Sequence, residues 1–140
     1  QEYKYGAVVF FADDDNAYDV RLFDKYIRRV KRLGMWGVSL AGAAVVEAPR
    51  VANNTIVGWD AAWKPERKFA IDLAGFAVNL KEIMRVPNEQ FGLKASSTLK
   101  ETLKIVILSE RRSRTFGYLD NPKEVLAWHV RTKSAPTQAN

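Results

Sequence analysis

Asp13, Asp14 and Asp15 follow one another directly after the apolar run Val8-Val9-Phe10-Phe11-Ala12. Adjacent like charges repel, and a divalent cation relieves that repulsion. Hard cations such as Mg²⁺ or Mn²⁺ take oxygen ligands, commonly one or two carboxylates with substrate phosphates completing the shell. An EF-hand loop does not fit, because Ala17 stands where an oxygen ligand is needed and Tyr18 where a glycine is needed. The plainer alternative is a solvated turn ahead of a helix, with Asp19 as the N-cap. Two further acids, Glu47 and Asp72, lie in apolar stretches, where a carboxylate needs either partners or a site. His129 is the single histidine. Without context such a residue is more often structural than catalytic. Trp63, between Ala61-Ala62 and Lys64-Pro65, suits a sugar platform or ordinary packing equally.

These residues need elements to hold them. Val8–Ala12 reads as a strand buried on both faces, ending at the turn formers Asp13-Asp14-Asp15-Asn16. From Asp19 to Leu33, apolar residues recur every three or four positions (Leu22, Phe23, Tyr26, Ile27, Val30, Leu33), the pattern of an amphipathic helix closed by Gly34. Its other face carries Arg21, Lys25, Arg28, Arg29 and Arg32, expected to be solvated surface. Strand-like pieces follow at Trp36–Leu40, Ala44–Glu47 and Thr55–Trp59, with a turn at Ala52-Asn53-Asn54. Phe69–Leu80 is apolar, and Gly75 in it invites close backbone approach. Lys81–Val86 reads as a turn or two of helix and Thr98–Leu108 as a helix, although Ile105-Val106-Ile107 suits a strand equally well. Arg111–Asn121 reads as a polar loop, Glu124–Val130 as a last strand and Lys133–Asn140 as a polar tail.

Composition narrows the classes. The 140 residues contain no cysteine, which excludes a disulfide scaffold, a zinc finger and a thiol nucleophile. No apolar run reaches the ~18 residues of a membrane span. The net charge of +6 invites a polyanion. The interleaved basic and aromatic motifs of RNA modules are missing, however, so no nucleic-acid partner is expected.

Five segments, in order, resemble a known family. Phe11-Ala-Asp-Asp-Asp-Asn-Ala-Tyr18 is similar to the donor-binding signature of the animal β-1,3-glucuronyltransferases, glycosyltransferase family 43. Val46-Glu-Ala-Pro-Arg50 resembles that family's acceptor segment, and Val57-Gly-Trp59 its next strand. Trp63-Lys-Pro-Glu-Arg67 with Phe69–Leu80 resembles its central segment. Trp128-His-Val-Arg-Thr132 resembles its C-terminal signature. The resemblance implies an α/β architecture of GT-A type, the fold of nucleotide-diphospho-sugar transferases, with residues 1–132 forming its C-terminal, metal- and acceptor-binding part around a mixed sheet. It implies Mn²⁺, a UDP-glucuronate donor, a galactose-terminated glycan acceptor and inversion at the anomeric carbon. It also implies a Golgi lumen setting, an upstream membrane anchor and possible homodimers. Carried over, Asp15 is the Mn²⁺ ligand, while Asp13, Asp14, His129 and Arg131 meet UDP or the donor sugar. Glu47, Trp63, Arg67 and Asp72 meet the acceptor.

The family's base is a glutamate at a helix start, and two placements compete. Counting without gaps from Gln90-Phe91 gives Glu101, followed by Thr102. Local similarity instead places Ala95-Ser96-Ser97 there, which would leave no base. The shorter gaps favour Glu101. On either alignment the arginine that usually precedes the base is missing, with Lys94 or Lys100 as substitutes. Asn53-Asn54-Thr55 is an N-glycosylation sequon, with Asn53 as its acceptor. In a GT-A enzyme the uracil-cradling strands precede the acidic motif, which here arrives at residue 13. The expectation is therefore a piece of a larger domain that binds UDP poorly and turns over little by itself. A non-catalytic relative or inactive fragment that binds only glycan or metal-nucleotide is the alternative.

Overall fold

The computed structural model describes residues 6–53, 55–67, 69–84, 114–116 and 124–130. Among these, nine strands form two mixed sheets. In chain order they are β1 (Val8–Phe10), β2 (Asn16–Tyr18), β3 (Leu33–Trp36), β4 (Val38–Ser39), β5 (Val46–Ala52), β6 (Thr55–Asp60), β7 (Phe76–Asn79), β8 (Arg114–Phe116) and β9 (Ala127–His129). The first sheet runs β1-β7-β3-β8 and the second β2-β9-β4-β5-β6. Only β3–β8 and β4–β9 are parallel pairs; the others are antiparallel. The mixed α/β architecture expected from the sequence is present.

Alternation along β3 and β7 gives the first sheet an apolar layer on each face. Leu33, Met35, Phe76 and Val78 join Ile71 in one cluster, against which Phe11, Trp59 and Phe69 pack. Trp36 and Ala77 turn the other way and join Leu22, Tyr26, Ile27, Val30, Val38 and Leu126. The indole N–H of Trp36 donates to the Ala74 carbonyl at 2.7 Å, so the bulkiest core residue leaves no polar group unsatisfied.

Several sequence expectations need correction. The helix expected over Asp19–Leu33 is only a wound segment, a π-type turn over Leu22–Tyr26 followed by a 3-10 turn over Ile27–Arg29. Val30 is already extended, with φ −70° and ψ 115°. Leu33 and Gly34 enter β3, so Gly34 is no helix cap. Leu33 fits the helical period but is buried equally well in the sheet, and periodicity cannot separate the two. The strand expected over Trp36–Leu40 is split at Gly37, where the chain passes from one sheet to the other. β1 is half-buried rather than covered on both faces, being the last strand in its sheet's order. Within the expected loop Arg111–Asn121, residues Arg114–Phe116 form β8. A methyl added at Gly75 would strike Ile71 side-chain carbons at 2.7 and 2.9 Å, so what crowds this glycine is side chain rather than backbone.

Other expectations hold. Asn53 turns the β5–β6 hairpin with φ 50°, a left-handed conformation that asparagine tolerates. The helix α1 covers Leu80–Met84. Arg21, Lys25, Arg28, Arg29 and Arg32 are all exposed. Four of them pair with nearby acids: Arg21 with Asp19 and Glu124, Lys25 with Glu124, Arg28 with Asp24, and Arg32 with Glu82. No helix among the described residues is long and apolar enough to cross a membrane. The Thr98–Leu108 helix and the Lys133–Asn140 tail lie outside the described residues.

Candidate functional site

The acidic residues occupy the turn between β1 and β2, and that turn is clipped shut. The Tyr18 hydroxyl accepts from the Asp13 N–H at 2.7 Å and donates to the Asp13 carbonyl at 3.0 Å. The Val130 N–H donates to the Asp15 carbonyl at 2.8 Å, tying the turn to the end of β9. Held this way, the carboxylates of Asp13, Asp14 and Asp15 each present an oxygen within 4.8 Å of the others. Asp14 and Asp15 are exposed and Asp13 is half-buried. Burial, and next the Asp15 charge, push the Asp13 carboxyl above its ordinary value. An all-oxygen donor set under mutual repulsion suits a hard divalent cation.

Pairing of β2 with β9 sets Asn16 directly opposite His129. His129 Nδ1 lies 3.2 Å from Asn16 Oδ1 and 3.5 Å from Asp15 Oδ2. The Asn16 amide nitrogen donates across to Asp72 Oδ1 at 3.2 Å. Asp72 caps the 3-10 turn Leu73–Gly75, accepting the Ala74 N–H on the same oxygen at 2.9 Å. One chain of polar contacts thus runs from the acidic turn through Asn16 to Asp72.

Glu47 stands in β5, paired with Val38 of β4, and is only 3% exposed. Its Oε1 has no hydrogen-bond partner among the described residues. Burial pushes its carboxyl above the ordinary value, Arg67 opposes that rise, and the Asp72 charge adds to it. A buried, unpartnered carboxylate oxygen is costly to fold and calls for an explanation, which a ligand hydroxyl would supply. The turn over it is tight. A methyl at Gly42 would come 2.5 Å from Glu47 Oε1 and 3.2 Å from Trp63 Cβ. Gly42 (φ 54°) is flanked by left-handed Leu40 and Ala43, with φ of 60° and 68°. Non-glycine residues rarely adopt that conformation without tertiary support.

Trp63 is 50% exposed, and the Arg67 guanidinium lies 4.4 Å from its ring centroid, a cation–π contact. Arg67 also donates to the carbonyls of Lys64 (3.1 Å) and Trp63 (2.9 Å), which fixes both its own head and the loop.

Of the residues singled out from sequence, Asp13, Asp14, Asp15, His129 and Asp72 are linked directly or through Asn16. Glu47, Trp63 and Arg67 form the adjoining group, coupled to Asp72 by charge. Glu101 and Arg131 lie outside the described residues. Asn53 is exposed at the hairpin tip. Sequence reasoning assigned no role to Asn16, Tyr18 or Gly42. Asn16 and Tyr18 stand in the acidic motif itself, and that position was the only available signal.

Comparison with known proteins agrees with this assembly. A model of the family described as glycosyltransferase family 43 matches residues 1–133. Galactosylgalactosylxylosylprotein 3-beta-glucuronosyltransferase 2 of Mus musculus is 38% identical over 133 residues, 90% of this chain and 39% of that protein. The Homo sapiens protein of the same name has the same identity and coverage. Galactosylgalactosylxylosylprotein 3-beta-glucuronosyltransferase 1 of Rattus norvegicus is 38% identical over 134 residues, 90% of this chain and 38% of that protein. The chain therefore spans about two fifths of the length of these relatives. With a family model covering nearly all of it, the chain belongs to glycosyltransferase family 43.

Proposed function

We propose that this chain is the metal- and acceptor-binding part of a GT-A glucuronosyltransferase that moves glucuronate from UDP-glucuronate to the 3-hydroxyl of a terminal galactose. The observation that carries the reading is one arrangement: the acidic turn, linked by Asn16 to Asp72, whose charge in turn reaches Glu47, a buried acid whose Oε1 has no hydrogen-bond partner among the described residues. The names of the relatives, which include 3-beta-glucuronosyltransferase activity, support the same reaction.

Transfer with inversion is a single displacement. The galactose oxygen bonds to the anomeric carbon as the bond to UDP breaks, and the hydroxyl proton passes to a carboxylate base. Glu101 takes that role in this reading. Glu47, through its open oxygen, and Arg67 hold galactose hydroxyls, while the half-exposed Trp63 indole supports the apolar face of a sugar. Asp72 orients hydroxyls near the reacting carbon. His129 and Arg131 contact the donor, and Asp13 and Asp14 contact UDP. Asp15 would hold Mn²⁺, which when bound would supply positive charge that stabilises the diphosphate leaving group. The setting in this reading is the Golgi lumen, and the exposed Asn53 in its sequon is consistent with a glycosylated protein.

The test is UDP release from UDP-glucuronate, followed with and without Mn²⁺ and with galactose- or glucose-terminated disaccharides. Release requiring both Mn²⁺ and the galactoside, and a glucuronylated product by mass, is expected. Glu101→Gln should remove it and Ala95→Glu should not alter it. Release that ignores the acceptor would contradict the reading.

A further inference from the structure

The polar chain between the acidic turn and Asp72 has only one arrangement of protons that satisfies it. Asp72 Oδ1 already accepts the Ala74 N–H, so it faces Asn16 as an acceptor. The Asn16 group 3.2 Å from it is therefore the amide NH₂, since a carbonyl there would set two acceptors against each other. That orientation turns the Asn16 carbonyl oxygen toward His129 Nδ1, also 3.2 Å away. An acceptor at that distance needs a proton on the ring nitrogen. The second neighbour of Nδ1, Asp15 Oδ2 at 3.5 Å, is an acceptor too.

We infer that Asn16 is a positioning residue that fixes His129 as the Nδ1–H tautomer, leaving Nε2 as the nitrogen that meets a ligand. The inference deepens the transferase reading, in which His129 contacts the donor, but its hydrogen-bond logic stands on the contacts alone. The consequence is directional. With Nδ1 carrying the proton, Nε2 of the neutral ring is a hydrogen-bond acceptor. Asp72, at the cap of a 3-10 turn and reached through Asn16, thereby sets the hydrogen-bonding sense of a ring on β9.

This chain has a single histidine, so its imidazole resonances need no assignment. Long-range ¹H–¹⁵N spectra are recorded without substrate at rising pH until the ring shifts stop changing, and the neutral tautomer is then read. Wild type should show Nδ1 protonated and Nε2 pyridine-like. Asn16→Ala should lose that preference. Asp15→Ala separates the two acceptors and should leave the tautomer unchanged. A wild-type ring protonated at Nε2 would overturn the inference even if no variant folds. So would retention in Asn16→Ala, or loss in Asp15→Ala alone. Because no substrate is present, failure here leaves the transferase reading standing, and failure of transfer leaves the tautomer result standing.

Discussion

Asp15→Ala is expected to weaken Mn²⁺ binding by more than about 100-fold, because loss of a second-shell partner alone commonly costs 10–100-fold and a direct ligand costs more. The reason lies in how the turn is built. Asp15 is exposed, its backbone carbonyl is tied to Val130, and its carboxylate stands within reach of Asp13 and Asp14. Removing it takes away an exposed carboxylate while the Tyr18 clip on Asp13 stays in place, so the fold should survive. Titration of the free Mn²⁺ signal by electron paramagnetic resonance measures the loss directly. Asp14→Ala is the matched control. It removes a neighbouring exposed carboxylate that this account assigns to UDP, and it should keep most of the Mn²⁺ affinity. Equal losses in the two variants would mean that the turn attracts cations by net charge and has no defined ligand.

The second large effect is expected at Glu47, and it runs in opposite directions for stability and function. Glu47→Gln should lower kcat/KM for the galactoside by about 10–100-fold, the range for losing a hydrogen bond to a charged group. It should also make the protein more stable at neutral pH, by on the order of 1 kcal/mol, by removing a buried charge whose Oε1 has no partner among the described residues. The pH dependence follows from the direction of the shift. Burial raises the folded-state carboxyl above its ordinary value of 4.5, so between the two values the folded protein binds more protons than the unfolded chain. Stability is therefore lost as pH rises from about 4.5 through the raised folded value, and Asp13, raised in the same sense, adds to the loss. Thermal melts of wild type and Glu47→Gln across that window should diverge as pH rises. Parallel curves would mean that Glu47 is already satisfied in solution.

The parts of the site visible in the sequence were those whose oddity is local. Three adjacent aspartates are anomalous wherever they occur, and Glu47 is an acid among alanine and valine. What joins them could not be read, because it depends on pairing between distant strands. Asn16 meets His129 across 113 positions and Asp72 across 56. Nothing near residue 16 signals either contact. Gly42 is similar, since its closeness to Glu47 arises only once the turn containing left-handed Leu40, Gly42 and Ala43 brings β4 back toward β5. Leu33 shows the converse failure. Its spacing fits the helix, yet antiparallel pairing with Val78 claims it for β3. Tertiary contact overrode a periodicity that was real but ambiguous. The core was easier to anticipate, because large apolar residues such as Leu22, Val30, Trp36, Phe76 and Leu126 bury themselves whether they sit in a wound segment, a strand or a connection.

In the proposed function a single site holds a divalent cation and a galactose acceptor side by side. Proton relaxation of a galactose-terminated disaccharide, measured with this chain and Mn²⁺, tests it without requiring turnover. Strong Mn²⁺-dependent broadening of the terminal galactose signals is expected. Asp15→Ala should abolish it by losing the metal, and Glu47→Gln should abolish it by losing the sugar while Mn²⁺ stays bound. Wild-type protein that binds Mn²⁺ and the disaccharide yet leaves the galactose signals sharp would place the two ligands apart, and would contradict the account.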